Sequence, residues 1–394
     1  MILTKNIKIR SAEQVISNAI SYCQREGASI AVWRRPEERN IHFIVDFSAE
    51  MRPMAHPLES KIPGFVFSPF DTDNHGYLIR GDLHFDLEGN LSDDLPNYSL
   101  TGKKDDFLNY INSNRQNTYP AGVIKVSTDD TAEAAFKNLV KRSVDAIQKG
   151  QLQKVVPSRK QEITFEQPLN VGINFIRLAE AYPTAFVSLV FIPQTGLWLG
   201  ATPELLISVR DNIFKTVALA GTQKYKEGTP LNNVAWTQKE IEEQALVSRY
   251  IINCFKKIRL REFDEAGPKT VVAGNLLHLK TEFKVDMVAT NFPDLGDTML
   301  KLLHPTSAIC GMPLEPAKKF LKEHEAYDRG YFSGYLGPTN INNATELYVN
   351  LRCMHIEDSK ATLFSGAGVT EDSHPDKEWQ ETEIKMNTLL NIIQ

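Results

Sequence analysis

Near the C-terminus, Glu378, Glu381 and Lys385 fall at i, i+3 and i+7 of a predicted helix and so share one face. Trp379, Met386, Leu390 and Ile393 lie on a separate apolar stripe that buries against a core and turns the charged face elsewhere. Two carboxylates one turn apart offer hard oxygen ligands to a divalent ion such as Mg²⁺. A lysine one turn further can hold the carboxylate of a ligand bound to that ion. The same spacing also fits a solvated face laced with helical ion pairs.

A second carboxylate stands out between Thr237 and Ile258. On a helical wheel Leu246, Val247, Tyr250, Ile251 and Cys254 form one apolar arc, and Glu243 projects near its middle. An ionised carboxylate buried alone is too costly to persist, so Glu243 there must be protonated, paired with a cation or bound to a metal. The alternative is a shorter helix with Glu243 just beyond its packed part.

The elements that must position these groups are partly legible. A helix from Ser11 to Glu26 stops at Gly27, and strand-like runs follow at Ser29 to Arg34 and Ile41 to Phe47. Turn-rich stretches surround Asp71 to Gly76 and Asp93 to Asn97, and the polar segment Thr101 to Pro120 reads as a loop or boundary. Phe136, Leu139, Val140, Val144 and Ile147 mark a helix ending at Gly150, directly before a strand from Lys154 to Arg159. Strands at Ala185 to Phe191, Leu197 to Leu199, Leu205 to Val209 and Ile213 to Leu219 are spaced for antiparallel hairpins rather than parallel crossovers. Tyr331 to Leu336, Glu346 to Cys353 and Ala361 to Phe364 read as strands before the last helix.

The bulk chemistry narrows the function. With 394 residues, 42% hydrophobic and 24% charged, the chain has ample material for a large core. A net charge of -5 without a basic, aromatic-interleaved block argues against nucleic acid as a partner. The four cysteines, Cys23, Cys254, Cys310 and Cys353, form no CxxC pair and read as buried thiols in a reducing compartment. Met1 to Arg10 lacks an apolar run of signal-peptide length, and Ala185 to Leu199 is interrupted by Ser188, Pro193, Gln194 and Gly196, so no membrane span is expected. The expected location is the cytoplasm.

Seven segments, in this order, resemble the signature blocks of the chorismate-utilising enzymes, the family of isochorismate synthase, salicylate synthase and the chorismate-binding subunit of anthranilate synthase. They are Lys154-Val-Val-Pro-Ser-Arg159, Gly200-Ala-Thr-Pro-Glu-Leu205, Ala218-Leu-Ala-Gly-Thr222, His304-Pro-Thr-Ser-Ala-Ile-Cys-Gly311, Asp328-Arg-Gly330, Phe364-Ser-Gly-Ala-Gly-Val369 and Glu378-Trp-Gln-Glu-Thr382. Their fixed order is more specific than any one of them.

The resemblance implies an α+β fold of two large, near-orthogonally packed antiparallel sheets flanked by helices. It forms one large chorismate-binding domain with a variable part over 1–120 and a catalytic core over 121–394. It implies Mg²⁺ held by Glu243 and Glu381, with Glu378 assisting through water, and substrate contacts from Gly221, Thr222, His304, Ala308, Arg352, Gly366, Gly368 and Lys385. Lysine at position 154 resembles the enzymes that add water at C2 of chorismate, where ammonia-adding relatives typically carry glutamine. An ε-amine takes a proton from water only when neutral, so its pocket has to favour that form by desolvation or a neighbouring cation. Glu204 matches the general acid that protonates the departing C4 hydroxyl. Ala308 resembles enzymes that stop at isochorismate, where salicylate synthases tend to carry threonine.

Two features depart from the pattern: Gln244 follows Glu243 where histidine or asparagine is usual, and Pro157 and Ser158 are closer to anthranilate synthases. The expected function is therefore Mg²⁺-dependent isochorismate synthase, feeding menaquinone or siderophore synthesis, with chorismate as substrate, no obligatory protein partner and a monomeric state. The rivals are a salicylate synthase, an ammonia-using synthase with a glutaminase partner, and a catalytically silent chorismate-binding protein.

Overall fold

The computed structural model of the protein describes residues 11–48, 50, 52–54, 58, 61–71, 73, 76–90, 101–113, 124–126, 131–226, 228–273 and 276–393. The expectations for Met1 to Arg10 and for the turns at Asp93 to Asn97 lie outside these residues, as do parts of the segments Asp71 to Gly76 and Thr101 to Pro120.

Helix α1 (Ala12–Glu26) leads into strands β1 (Ser29–Arg34), β2 (His42–Asp46), β3 (Pro53–Met54), β4 (Gly64–Ser68), β5 (Gly76–Arg80) and β6 (Leu83–Asp86). Then come α2 (Thr101–Ile111), β7 (Ile124–Val126), α3 (Ala132–Gln148), β8 (Lys154–Val155), β9 (Ser158–Phe165), α4 (Val171–Ala181), β10 (Phe186–Ile192), β11 (Gly196–Thr202), β12 (Leu205–Arg210) and β13 (Ile213–Lys224). The rest comprises α5 (Gln238–Lys257), β14 (Asp264–Ala273), β15 (Leu276–Asp286), α6 (Leu295–Leu303), β16 (Gly311–Met312), α7 (Leu314–His324), β17 (Tyr335–Thr339), β18 (Thr345–Val349), β19 (Cys353–Glu357), β20 (Lys360–Gly366) and α8 (Pro375–Leu390).

The strands form two nine-stranded antiparallel sheets. One runs β6-β2-β1-β10-β11-β19-β20-β9-β7, the other β14-β15-β13-β12-β18-β17-β4-β5-β3, and β8 pairs separately with β16. Strands from the first ninety residues thus complete both sheets.

Burial explains the order of layers. In β1, Ile30 and Val32 enter a core shared with α1 and α4, while Ala31 and Trp33 enter a second core with Phe65 and Phe67 of the other sheet. β10 alternates the same way, with Val187, Leu189 and Phe191 on the helical side and Phe186, Val190 and Ile192 facing the other sheet. A strand buried on both faces reads as a continuous apolar run, which is why Phe186 to Ile192 shows almost no polar alternation. A third core packs the other sheet's remaining face on α3, α5 and α6 through Phe136, Val140, Val247, Ile251, Phe255 and Met299. The two sheets therefore lie face to face, with helices outside each.

Four sequence expectations change. The first half of the polar segment after Thr101 is helix α2, because Phe107 and Ile111, one turn apart, bury against α1. The strand expected over Lys154 to Arg159 is split into β8 and β9, since Pro157 has no N–H for a ladder. The run Glu346 to Cys353 is split as well, by a bend at 350–352 where Arg352 adopts φ +48°. Tyr331 to Gly334 is a turn closed by the Gly334 N–H on the Tyr331 carbonyl, and the strand begins at Tyr335.

Candidate active site

The breaks in these strands converge. Glu204 sits between β11 and β12, Arg352 between β18 and β19, Gly366 and Gly368 where β20 ends, and Ala308 between α6 and β16. With Gly221, Thr222, Glu243 and Lys385 they line one pocket of about 720 Å³, counting its open mouth. Loops at strand ends supply the chemistry while the two sheets hold them in place.

Lys154 lies directly beneath this pocket. Its side chain has no solvent exposure, and its Nζ donates to Glu243 Oε1 at 2.9 Å. The complete burial expected of a base is present, but its nearest charge is a carboxylate rather than a cation. Glu243 projects from α5 at the edge of the apolar arc, with 17% of its side chain exposed. The polar group buried in that arc is Gln244, whose amide donates to the Ala218 carbonyl and to Thr281 Oγ1. Burial acts to raise the Glu243 carboxyl, and Lys154, joined by Lys385 and Lys239, more than offsets it, leaving the group below its usual range.

Glu204 is the pocket's other carboxyl of note. It is 6% exposed, and burial pushes it up to about 7 against the opposing charges of Lys154, Lys385 and Arg352. Near neutrality it is therefore protonated in a large share of the molecules, so a proton donor is available.

Arg352 is a ready anion receptor. Its guanidinium is buried at the pocket wall, and Nη1 has no hydrogen-bond partner. Left-handed backbone is uncommon for a non-glycine residue, and outliers of this kind cluster at ligand sites. Lys385 supplies a second cation, donating to the Gly366 carbonyl at 2.9 Å and pairing with Glu381 at 2.6 Å.

On α8 the side chains of Glu378, Glu381 and Lys385 are 1%, 23% and 18% exposed, which excludes a freely solvated face. Helix α8 starts at Pro375 in its first turn, capped by the His374 ring accepting from Asp376 N–H. Glu378 is inward-facing, along with Thr382, Met386 and Leu389, and its Oε1 accepts from Lys239 Nζ at 2.5 Å. Burial, together with the charge of Glu381, raises its carboxyl despite Lys239.

Carboxylates are the right donors for Mg²⁺, and Glu378 Oε2 is sealed from solvent without a well-formed hydrogen bond, with the Ser373 hydroxyl acting on the same carboxyl. As they stand, Glu243, Glu378 and Glu381 each hold a lysine: Lys154, Lys239 and Lys385. Among the described residues no three His, Cys, Asp or Glu side chains lie close enough together to grip an ion. The donors suit the ion in kind, and with the three lysines in place they are not gathered around one point.

Of the residues expected at the site, His304 does not line the pocket. It is buried against Tyr335, with Nε2 3.3 Å from the Pro69 carbonyl, and burial lowers it to about 4. Glu378 and Glu381 are likewise behind the lining.

The structure adds roles for His278 and Glu325, outside the quoted segments, and for Ser365, Arg329 and Ser158 within them. His278 Nδ1 donates to the Gly221 carbonyl at 2.6 Å, burial and the charge of Arg352 lower the ring to about 3, and the neutral Nε2 at the pocket has no partner. Ser365 Oγ is unpartnered at the same wall. Arg329 grips Glu325 with two donors and also reaches the carbonyls of Val156 and Ile309, tying the segment after Lys154 to the Ala308 loop. Glu325 in turn accepts from the backbone and hydroxyl of Ser158.

Against known proteins, the family described as chorismate binding enzyme matches residues 91–394. Isochorismate synthase EntC of Escherichia coli is 29% identical over 265 residues, covering 66% of this chain and 67% of EntC. The structure of MenF, the menaquinone-specific isochorismate synthase of Escherichia coli, superposes with a TM-score of 0.79 at 19% identity, covering 99% of this chain and 92% of that one. Anthranilate synthase component I of Streptococcus pneumoniae gives 0.69 at 19% identity, covering 91% and 89%. Two activities share this fold, so the fold alone does not choose between them. No helix among the described residues is long and apolar enough to cross a membrane.

Proposed function

The chain belongs to the chorismate binding enzyme family, and from that premise we propose that it is a Mg²⁺-dependent isochorismate synthase. The observation that carries the chemistry is Glu204, a buried carboxyl raised to about 7 at the wall of a pocket that also holds an unpartnered arginine nitrogen. A pocket that only bound an anion would have no use for a protonated acid. The likeness to EntC and MenF, both named isochorismate synthases, supports the same reaction class.

In this reading Arg352 and Lys385 take up substrate carboxylates. Water attacks C2 and gives its proton to Lys154 as the ring double bonds shift. The C4–O bond breaks, and Glu204 delivers its proton so that the hydroxyl leaves as water. Glu243 and Glu381 would hold Mg²⁺ with Glu378 in support. When bound, the ion supplies positive charge for a substrate carboxylate and for the carboxylates around it. Lys154 acts as base once Glu243 has released it and its ammonium proton has passed to solvent, leaving a neutral amine. His278 Nε2, neutral and unpartnered, is suited to accept a hydrogen bond from a substrate hydroxyl.

The test is incubation of the purified protein with chorismate and Mg²⁺, with products separated by chromatography. The expected outcome is isochorismate in equilibrium with chorismate. Stoichiometric pyruvate would assign a salicylate synthase, and a product formed only with ammonia would assign an amino-transferring relative. No turnover at all would leave a binding protein.

A further inference from the structure

Lys239 occupies an unusual place among the candidate metal ligands. It stands in the first turn of α5, held there by the Glu240 carboxylate accepting from the Thr237 N–H at the helix start. Among the described residues Glu378 is its only hydrogen-bond partner, and the charges of Glu381 and Glu243 act on it as well. One ammonium is thus paired with one of the three candidate carboxylates and feels the charge of the other two.

The other two lysines are less free to leave. Lys154 is sealed with no exposure, and Lys385 is also tethered to the Gly366 carbonyl. Lys239 is 28% exposed at the end of a helix, with solvent into which a four-carbon stem can swing. Glu378, by contrast, is 1% exposed on the inward face of α8 with Thr382, Met386 and Leu389, so it cannot follow the lysine out.

We infer that Lys239 is an internal counter-cation that stands in for the divalent ion in the metal-free protein and withdraws when the ion binds. This rests on the reading of Glu243, Glu378 and Glu381 as the metal site. Lys239 neutralises Glu378 while the ion is away, which keeps a buried carboxylate tolerable. The same contact makes lysine a competitor, so metal affinity is set below what the carboxylates alone would give. A positioning role predicts the opposite sign, because a lysine that merely oriented Glu378 would help the metal to bind.

The experiment is equilibrium dialysis of Mg²⁺ against metal-free protein, with and without chorismate, comparing wild type, Lys239→Gln, Lys239→Arg and Glu381→Gln. Loss of one charge-assisted competitor should tighten Mg²⁺ binding by about tenfold or more in Lys239→Gln. Lys239→Arg, which keeps the charge and can grip the carboxylate with two donors, should bind Mg²⁺ no better than wild type. Thermal melting without metal should fall in Lys239→Gln, and added Mg²⁺ should raise it by more than in wild type. Equal or weaker Mg²⁺ binding by Lys239→Gln, with wild type binding normally, overturns the counter-cation role alone. If wild type takes up no Mg²⁺ under either condition, or Glu381→Gln takes it up equally, the metal-site reading fails and this inference with it.

Discussion

Lys154 Nζ and Glu243 Oε1 meet at 2.9 Å, joining the short strand beneath the pocket to the helix that closes it. The ammonium is wholly buried, so this carboxylate is what makes its charge tolerable. Glu243→Gln should therefore cost about 3 kcal/mol or more of stability, the usual penalty for orphaning a buried charge. Lys154→Met in the same chain should recover part of that loss, because the orphan is then gone. Urea denaturation of the two single variants and the double variant measures this. Strictly additive costs would mean that the pair is not coupled in solution.

Glu204 gives the pH dependence its sign. Its carboxyl is raised to about 7 by burial, so the proton-donating form dominates below that pH and is lost above it. If Glu204 is the acid, kcat/KM should fall as pH rises through about 7. Glu204→Gln should lose roughly 10²- to 10⁴-fold in rate and lose that falling limb. A pH profile of kcat/KM from about 5.5 to 9, which reports the groups of the free enzyme, decides the matter. A limb that survives in Glu204→Gln would belong to another group.

Periodicity made the helices legible: the buried faces of α3 and α5 were readable from 3.6-residue spacing because each packs one stripe on a sheet. The ordered motifs likewise brought Glu204, Gly221, Ala308 and Gly368 to one pocket, which Arg352, outside those motifs, also lines. What spacing could not give is where a strand bends. Arg352 lies in a run that reads as continuous strand, and only the left-handed turn at 350–352 aims its guanidinium into the cavity. Glu243 and Gln244 are a second case, since a wheel resolves a helical face but not which of two neighbours at its edge is buried; Gln244 takes the interior because Ala218 and Thr281 satisfy its amide. His278 and Lys239 gave no signal of their own, as each depends on partners more than fifty residues away.

Arg352 should carry substrate affinity with little of the fold. Its Nη1 has no protein partner to lose, so Arg352→Gln removes a donor that only a ligand would use. A hydrogen bond to a charged group contributes about 1.5–3 kcal/mol, so the KM for chorismate should rise roughly 10- to 100-fold. Melting temperature should change little beside it. A variant with unchanged KM would place the substrate carboxylates elsewhere in the pocket.

Gly368 tests whether the close packing of the site is required. A Cβ there would stand 2.4 Å from Glu243 Oε1, closer than real side-chain contacts allow, and a tight 3.2 Å from Lys154 Cε. Gly368→Ala must therefore push Glu243 aside, breaking its contact with Lys154 and moving a candidate metal ligand, although nothing in the catalytic set has been replaced. Overpacking of this kind typically costs about 1–3 kcal/mol, so the variant should still fold at room temperature. Activity should fall far more than stability, and higher Mg²⁺ should recover part of it, because the displaced carboxylate weakens ion binding rather than removing it. The measurement is kcat/KM at several Mg²⁺ concentrations beside a melting curve. Near-normal activity in Gly368→Ala would show that Glu243 can move without consequence, and the site as drawn from this geometry would have to be abandoned.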